Sequence, residues 1–286
     1  MLNFSKYHGL GNDFIIFDGI LDSIPSEIIL GNSVLISKIC NRNFGIGADG
    51  IFLLLPGNGN CNFKMIIYNS DGSQAEMCGN GIRCIVKYLF DKHHIKGNVV
   101  INTISGDISA KIDINNQIEV DMGIPILDPL NIPCKLERGV NGLPQGKLKI
   151  DNLDFNIYSV GMGNPHMIII VPKIKNIPIN SWGPILERNH RFPASTNVHF
   201  VEIINSREAN ILVWERGAGL TLACGTGACA CHVACNLLGL LDNKSYLSLP
   251  GGTLNISWTR PGQTVLMKGP SKFVFSGTIT DFYALD

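Results

Sequence analysis

Two short segments carry residues able to do acid/base chemistry at a carbon centre: Met77-Cys78-Gly79-Asn80-Gly81 and Ala223-Cys224-Gly225-Thr226-Gly227. In each, a cysteine precedes a residue suited to capping a helix (Asn80 or Thr226), and flanking glycines let a ligand approach the backbone closely. Apolar residues follow at helical spacing: Ile82, Ile85, Val86 and Leu89 after the first cysteine, Ala230, Val233, Ala234 and Leu237 after the second. A helix start offers free N–H groups and the positive end of the dipole, which favour a bound carboxylate and a thiolate alike. Both thiols, ordinarily with a pKa of about 8.5, are therefore expected to titrate nearer neutrality, as a coupled pair. A thiolate and a thiol on opposite faces of an α-carbon would invert that centre, one removing a proton and the other returning one. The developing charge would be carried by the carboxylate between the helix starts. One Cys-Gly turn by itself reads as a small residue at a tight bend. Two matched copies point to chemistry.

The match between the two segments is part of a longer repeat. Gly9-Leu-Gly11-Asn12 recurs as Gly161-Met-Gly163-Asn164, a shift of 152, while the cysteine motifs are shifted by 146. Asn69 stands nine residues before Cys78 and Glu215 nine before Cys224. Gly106 and Gly252 each follow their cysteine by 28 residues, and Gly123 and Gly269 close apolar segments 17 residues further on. Features in one order at a nearly constant shift indicate a duplicated domain. The pattern is interrupted by Pro125, Pro129, Pro133 and Pro144, which puts the junction within 124–146. The expected domains are residues 1–123 with Cys78 and 124–270 with Cys224, the tail 271–286 returning to the first. Within the first copy, 12–18, 51–55, 63–68, 99–103, 108–114 and 118–122 read as strands between Gly, Asn and Asp turns. A weaker helix is expected at Val34–Cys40, with its counterpart near Pro184–Glu187. The helices after the cysteines carry little charge, so each should be wrapped by its own sheet. The fold class is α+β: two similar domains related by a pseudo-twofold axis, each a mainly antiparallel sheet around a central helix, which would set Cys78 and Cys224 face to face.

Composition narrows the functions available. Of 286 residues 45% are hydrophobic and only 16% charged, and 23 basic residues balance 23 acidic ones, so no field favours nucleic acid or an anionic membrane. The longest apolar runs, Ile51–Leu55 and Met167–Val171, are strand-length, and the N-terminus carries no signal-peptide pattern. A cytoplasmic protein is expected; a plastid location would require the chain to be already processed. The nine cysteines (40, 61, 78, 84, 134, 224, 229, 231 and 235) are odd in number and irregular in spacing, which argues against a disulfide framework. Cys231 and Cys235, with Cys229 and His232 nearby, could share a metal, but paired Cys-x-x-Cys knuckles are missing, and no metal is expected. Gly9-Leu-Gly11 and Gly45-Ile-Gly47 lead into neither a P-loop nor a dinucleotide-binding unit.

Tyr7-His-Gly-Leu-Gly-Asn-Asp-Phe14, Met77-Cys-Gly-Asn-Gly-Ile-Arg-Cys84, Gly163-Asn-Pro-His166, Glu215-Arg-Gly217 and Ala223-Cys-Gly-Thr-Gly-Ala-Cys-Ala230 together resemble the diaminopimelate epimerase family. The resemblance implies conversion of LL-2,6-diaminopimelate to the meso form, without pyridoxal phosphate or other cofactor, in lysine and peptidoglycan-precursor synthesis. It makes Cys78 and Cys224 the two bases and has Gly79, Asn80, Gly225 and Thr226 cradle the reacting carboxylate. Asn12, Asn69, Asn164, Asn197, Glu215 and Arg216 match positions that hold the substrate, and His166 and Glu215 match residues proposed to tune the thiols. A homodimer is also implied. Side-chain chemistry agrees: Arg216 can take a distal carboxylate in bidentate fashion, and Glu215 with the amide oxygens can accept from an ammonium. One departure is Gly50, where some family members carry Gln.

Three readings compete with this one. A proline or hydroxyproline racemase would also use two cysteines, but such sequences tend to carry His after the first Cys-Gly and lack a polar set for a second amino-acid group. A redox or ligand-binding module would join the two thiols reversibly. Individually, His166 after Asn-Pro reads as a turn histidine, Glu215-Arg216 as a surface ion pair, and Asn12 and Asn164 as turn residues. Their shared register with the repeat favours function.

Overall fold

The structure, a computed structural model, describes residues 1–59, 61–75 and 79–280. The chain divides into two compact units, Met1–Val120 with Gly269–Asp286, and Asp121–Lys268.

The first unit runs β1 (Leu2–Gly9), β2 (Asn12–Asp18), a single-turn α1 (Ser26–Ile29), α2 (Ser33–Cys40), β3 (Gly50–Pro56), β4 (Phe63–Asn69), α3 (Gly79–His93), β5 (Gly97–Thr103), β6 (Gly106–Ile112) and β7 (Ile118–Asp121), and takes back the last strand, β18 (Lys272–Ile279). β1 lies antiparallel between β18 and β2; β2 and β3 are parallel, β3 and β4 antiparallel, β4 and β5 parallel, and β5, β6 and β7 antiparallel in turn. Helix α3 packs on β18, β1, β2, β3 and β6, strands far apart in this order, so the sheet curls around it. That enclosure explains why α3 is buried from Gly79 to Val86 without charge except Arg83. The other face of the sheet buries Ile15, Phe17, Ile51 and Leu53 against Ile28, Ile36 and Ile39 of α1 and α2. Strands β2 and β3 are thus covered on both faces and read as unbroken apolar runs.

The second unit runs β8 (Glu137–Arg138), β9 (Pro144–Ile150), β10 (Leu153–Gly161), β11 (Pro165–Ile170), α4 (Ile179–Glu187), β12 (Asn197–Asn205), β13 (Glu208–Glu215), β14 (Gly219–Leu220), α5 (Gly225–Leu237), β15 (Lys244–Leu249), β16 (Gly252–Ser257) and β17 (Leu266–Gly269). From β10 onward its main ladder repeats the first unit's sequence of pairings: antiparallel, parallel, antiparallel, parallel, antiparallel, antiparallel. β9 occupies the place of β18 beside the first of these strands. Helix α5 is buried along eleven consecutive residues and packs on β10, β11, β12, β15 and β16. Met167, Ile169 and Phe200 on the opposite face bury Trp182 and Leu186 of α4. Two similar domains, each a sheet around a central helix, are therefore the architecture.

Local departures from the sequence reading have local causes. β1 was not anticipated, because Lys6 and His8 obscure its alternation; Lys6 is neutralised by Asp13 at 2.8 Å. β6 stops at Ile112, since Asp113 accepts from the N–H groups of Asn115 and Gln117 and turns the chain. Helix α4 begins at Ile179, leaving Pro184 inside it, because Ile179, Trp182 and Leu186 share its buried face. No described helix is long and apolar enough to cross a membrane, and no group of three or more His, Cys, Asp or Glu among the described residues is arranged to hold a metal ion.

Candidate active site

In the second unit, Cys224 itself caps α5. Its backbone is extended (φ −122°, ψ 111°), and its sulfur accepts from the Gly227 N–H at 3.3 Å, with the Thr226 hydroxyl at 3.5 Å. Thr226, expected from the sequence to be the cap, is instead the second helical residue. The expected fall in the thiol's pKa is also overturned. Burial pushes the Cys224 thiol well up and the Glu215 carboxylate within hydrogen-bonding reach adds to the rise, against the opposing bonds from Thr226 and Gly227. A helix end contributes only about 0.3–1 kcal/mol, whereas full burial can shift a pKa by roughly 3–5 units. At this position desolvation wins. Glu215→Gln is accordingly expected to move the pH midpoint of iodoacetamide labelling at Cys224, followed by peptide mass spectrometry, to lower pH; an unmoved midpoint would show that the carboxylate and thiol are uncoupled.

Glu215 ends β13, and its Oε1 accepts from the Thr221 hydroxyl at 2.6 Å. Asn197, the first residue of β12, is buried and links two segments: its Nδ2 donates to the Pro165 carbonyl at 3.0 Å and its Oδ1 accepts from the Arg216 N–H at 3.0 Å. The Arg216 guanidinium is exposed and donates to the Ala194 carbonyl. His166 is fully buried on β11, with Nε2 at 2.7 Å from Asn164 Oδ1 and Nδ1 at 2.9 Å from His199 Nε2. Burial, then His199 and Arg216, hold the His166 pKa well below its usual value, so the ring is neutral at physiological pH. The second unit thus brings Cys224, Glu215, Thr226 and Gly225 together at one helix start, and Asn164, His166, Asn197 and Arg216 into a connected group around β11 and β12.

In the first unit, Asn80 is buried in the first turn of α3, and its orientation is fixed by Arg83, whose Nη2 donates to Asn80 Oδ1 at 2.8 Å. Asn80 Nδ2 then donates to Asn12 Oδ1 at 3.3 Å, and Asn12 Nδ2 donates to Asp49 at 2.7 Å. Arg42 closes the chain by bridging Asp49 and Asp13. Asn69, exposed at the end of β4, donates to the Ser73 hydroxyl. Gly79 opens α3 and its carbonyl accepts from Arg83. At Gly50 a Cβ would fall 2.5 Å from the Tyr68 carbonyl oxygen, so the strand here excludes the longer residue seen in some family members. Cys78 lies outside the described residues.

Arg42, Asp49, Arg83 and His199 were missed by the sequence reading. They were concealed by different things: Arg83 by the otherwise uncharged first two turns of α3, Asp49 and Arg42 by their place beside the Gly45-Ile-Gly47 loop. Aligning the two copies residue by residue would have flagged His199, which takes the place of Phe52.

The family described as Diaminopimelate epimerase matches residues 4–127 and 158–274. A diaminopimelate epimerase from Prochlorococcus marinus (strain NATL1A) is 50% identical over 279 residues, covering 97% of this chain and 98% of its own. One from Carboxydothermus hydrogenoformans is 44% identical, covering 96% and 98%. Among solved structures, a hydroxyproline epimerase from Agrobacterium vitis with bound trans-4-hydroxy-L-proline is similar over 97% of this chain and 90% of its own, with a TM-score of 0.67 and 13% identity. A PhzF-family phenazine biosynthesis protein from Bacillus anthracis covers 98% and 99%, with a TM-score of 0.69 and 14% identity. At those identities the solved structures speak to the fold alone.

Proposed function

Because this chain belongs to the diaminopimelate epimerase family, we propose that it interconverts LL- and meso-2,6-diaminopimelate by two-base catalysis, with Cys78 and Cys224 as the bases. The observation that carries this reading is Cys224 as the cap of an enclosed helix, its thiol beside the Glu215 carboxylate, in a unit whose topology duplicates the one containing Cys78. In sequence Cys78 immediately precedes Gly79, the first residue of α3, as Cys224 precedes Gly225 of α5.

Buried and next to a carboxylate, Cys224 rests as the thiol. In the direction that uses it as acid, Cys78 as thiolate takes the α-proton; the C–H electron pair remains on carbon, and that carbon takes the proton from the Cys224 sulfur on the other face. The products are a Cys78 thiol and a Cys224 thiolate, so the reverse reaction exchanges the roles. The pair resets when the Cys78 thiol gives its proton to solvent and the Cys224 thiolate takes one up through Glu215. The charge that develops on the substrate carboxylate is met by the N–H groups of the first helical turns, Gly79–Asn80 and Gly225–Thr226. Asn12, Asn69, Asn164, Asn197, Glu215 and Arg216 hold the remaining amino-acid group, and His166 and Glu215 adjust the thiols. No cofactor is needed, because each carbanion is met by an acid already in place. We further propose a cytoplasmic homodimer serving lysine and peptidoglycan-precursor synthesis.

Incubation in D₂O under reducing conditions tests the reading. LL-diaminopimelate should gain deuterium at the reacting α-carbon and yield the meso form, while proline should gain none. Exchange with proline alone would reassign the enzyme to a smaller substrate; exchange with neither would end the proposal.

A further inference from the structure

The duplicated ladders allow a residue-by-residue comparison of the two helix starts. In β2 and β3, Phe14 lies opposite Gly50 and Ile16 opposite Phe52; in β11 and β12, His166 lies opposite Asn197 and Ile168 opposite His199. His166 and His199 are therefore the counterparts of Phe14 and Phe52. The ring pairs have the same form: centroids 4.3 Å apart for the phenylalanines and 5.1 Å for the histidines, both tilted. Each second ring presses on the third residue of its helix. A Cβ at Gly81 would fall 2.2 Å from the Phe52 ring, and one at Gly227 would fall 2.1 Å from the His199 ring. The first unit shows that this packing requires no polar atom. The second places two fully buried imidazoles there, at a desolvation cost that pushes the His199 pKa down to about 3.

Hydrogen bonding defines what the nitrogens do. Asn164 Oδ1 can only accept, so His166 Nε2 carries the proton; neutral His166 then accepts at Nδ1, and His199 Nε2 must donate to it. His199 Nδ1 is left as a bare acceptor with no partner among the described residues. The reversed chain would leave a buried N–H there instead, the rarer kind of orphan. The duplicate orients its asparagine differently: Asn12 turns Nδ2 inward to Asp49. Asn164 turns Oδ1 inward, which frees its Nδ2.

We infer that His199 is a positioning residue which, through His166, locks the Asn164 amide with its N–H₂ facing outward to donate to an oxygen of the bound substrate, most fittingly a carboxylate oxygen. This rests on the proposed epimerase reading for the substrate, but the relay itself is measurable without one.

Nitrogen-15 NMR of the full-length protein should show both histidines neutral with the proton on Nε2. His199→Phe, which installs the duplicate's own ring, removes the donor while keeping the packing; His199→Gln keeps an N–H near the Nε2 position. The phenylalanine variant should lose the fixed His166 tautomer and raise KM for diaminopimelate roughly tenfold, the loss of about one hydrogen bond, with kcat changed much less. The glutamine variant should restore both toward wild type. A His166 proton on Nδ1 in the wild type, or an unchanged tautomer and KM in a folded His199→Phe variant, would overturn the relay. If His199→Phe does not fold, the wild-type spectrum and the glutamine variant decide. Failure of the epimerase reading would appear separately, as a wild type that exchanges no α-proton.

Discussion

Cys78→Ala and Cys224→Ala are each expected to lower epimerisation by about 10³-fold or more, within the range for removing a positioned acid or base whose partner cannot substitute for it. The more telling expectation concerns proton exchange. On the proposed two-base mechanism the Cys224→Ala enzyme keeps Cys78 as the base for one epimer, so that epimer should continue to exchange its α-hydrogen with D₂O without inversion, and the other should not. Cys78→Ala should reverse that preference. Equal slowing of exchange from both epimers would indicate that neither thiol works from a single face. Serine at either position should also be severely impaired, because an unactivated hydroxyl is a far weaker acid than a thiol and is scarcely ionised at neutral pH.

The second large effect concerns stability. Asp13, immediately after Asn12, is buried and receives two bonds from Arg42 at 3.1 and 2.7 Å and an ion pair from Lys6 at 2.8 Å. Burial alone would raise its pKa, but the Arg42 and Lys6 bonds outweigh it and hold the carboxyl at about 2, below the usual 3.8. A carboxylate depressed in the folded state stabilises above its unfolded pKa and ceases to as pH falls through its folded one. The contribution, about 2 kcal/mol, should therefore be intact above pH ~4 and disappear between about 4 and 2. Asp13→Asn leaves Lys6 half-paired in a buried place and should cost about 3–5 kcal/mol at pH 7, or a Tm lower by roughly 10 °C. Denaturant melts at pH 7 and pH 3 check both parts: the wild type should lose more stability on acidification than the variant does. A variant as stable as wild type at pH 7 would show the network to be energetically neutral. Since Asp49 is bridged to Asp13 by Arg42 and holds Asn12, activity should fall along with stability.

The residues that could do chemistry were legible because a duplication writes them twice. Cys224 and Glu215, Asn164 and Arg216 could all be named from spacing and family motif, since helix periodicity and glycine turns are local properties carried by adjacent residues. So was the wrapped central helix, which an uncharged run such as Gly225–Leu237 can satisfy only by burial on every side. What neighbouring residues could not supply is the balance of long-range terms at one atom. The helix start argued for a lowered Cys224 pKa, and it took the enclosure of α5 by β10, β11, β12, β15 and β16, with Glu215 brought from β13, to reverse the sign. Likewise Arg83 and Asp49 sit 34 residues apart in sequence, yet together they orient Asn80 and Asn12, a role visible only once strands and helix are folded against each other. Sequence by itself thus placed Cys224 at a helix start. Tertiary structure decided that Cys224, buried beside a carboxylate, rests protonated, because desolvation and charge depend on what surrounds an atom and not on what precedes it in the chain.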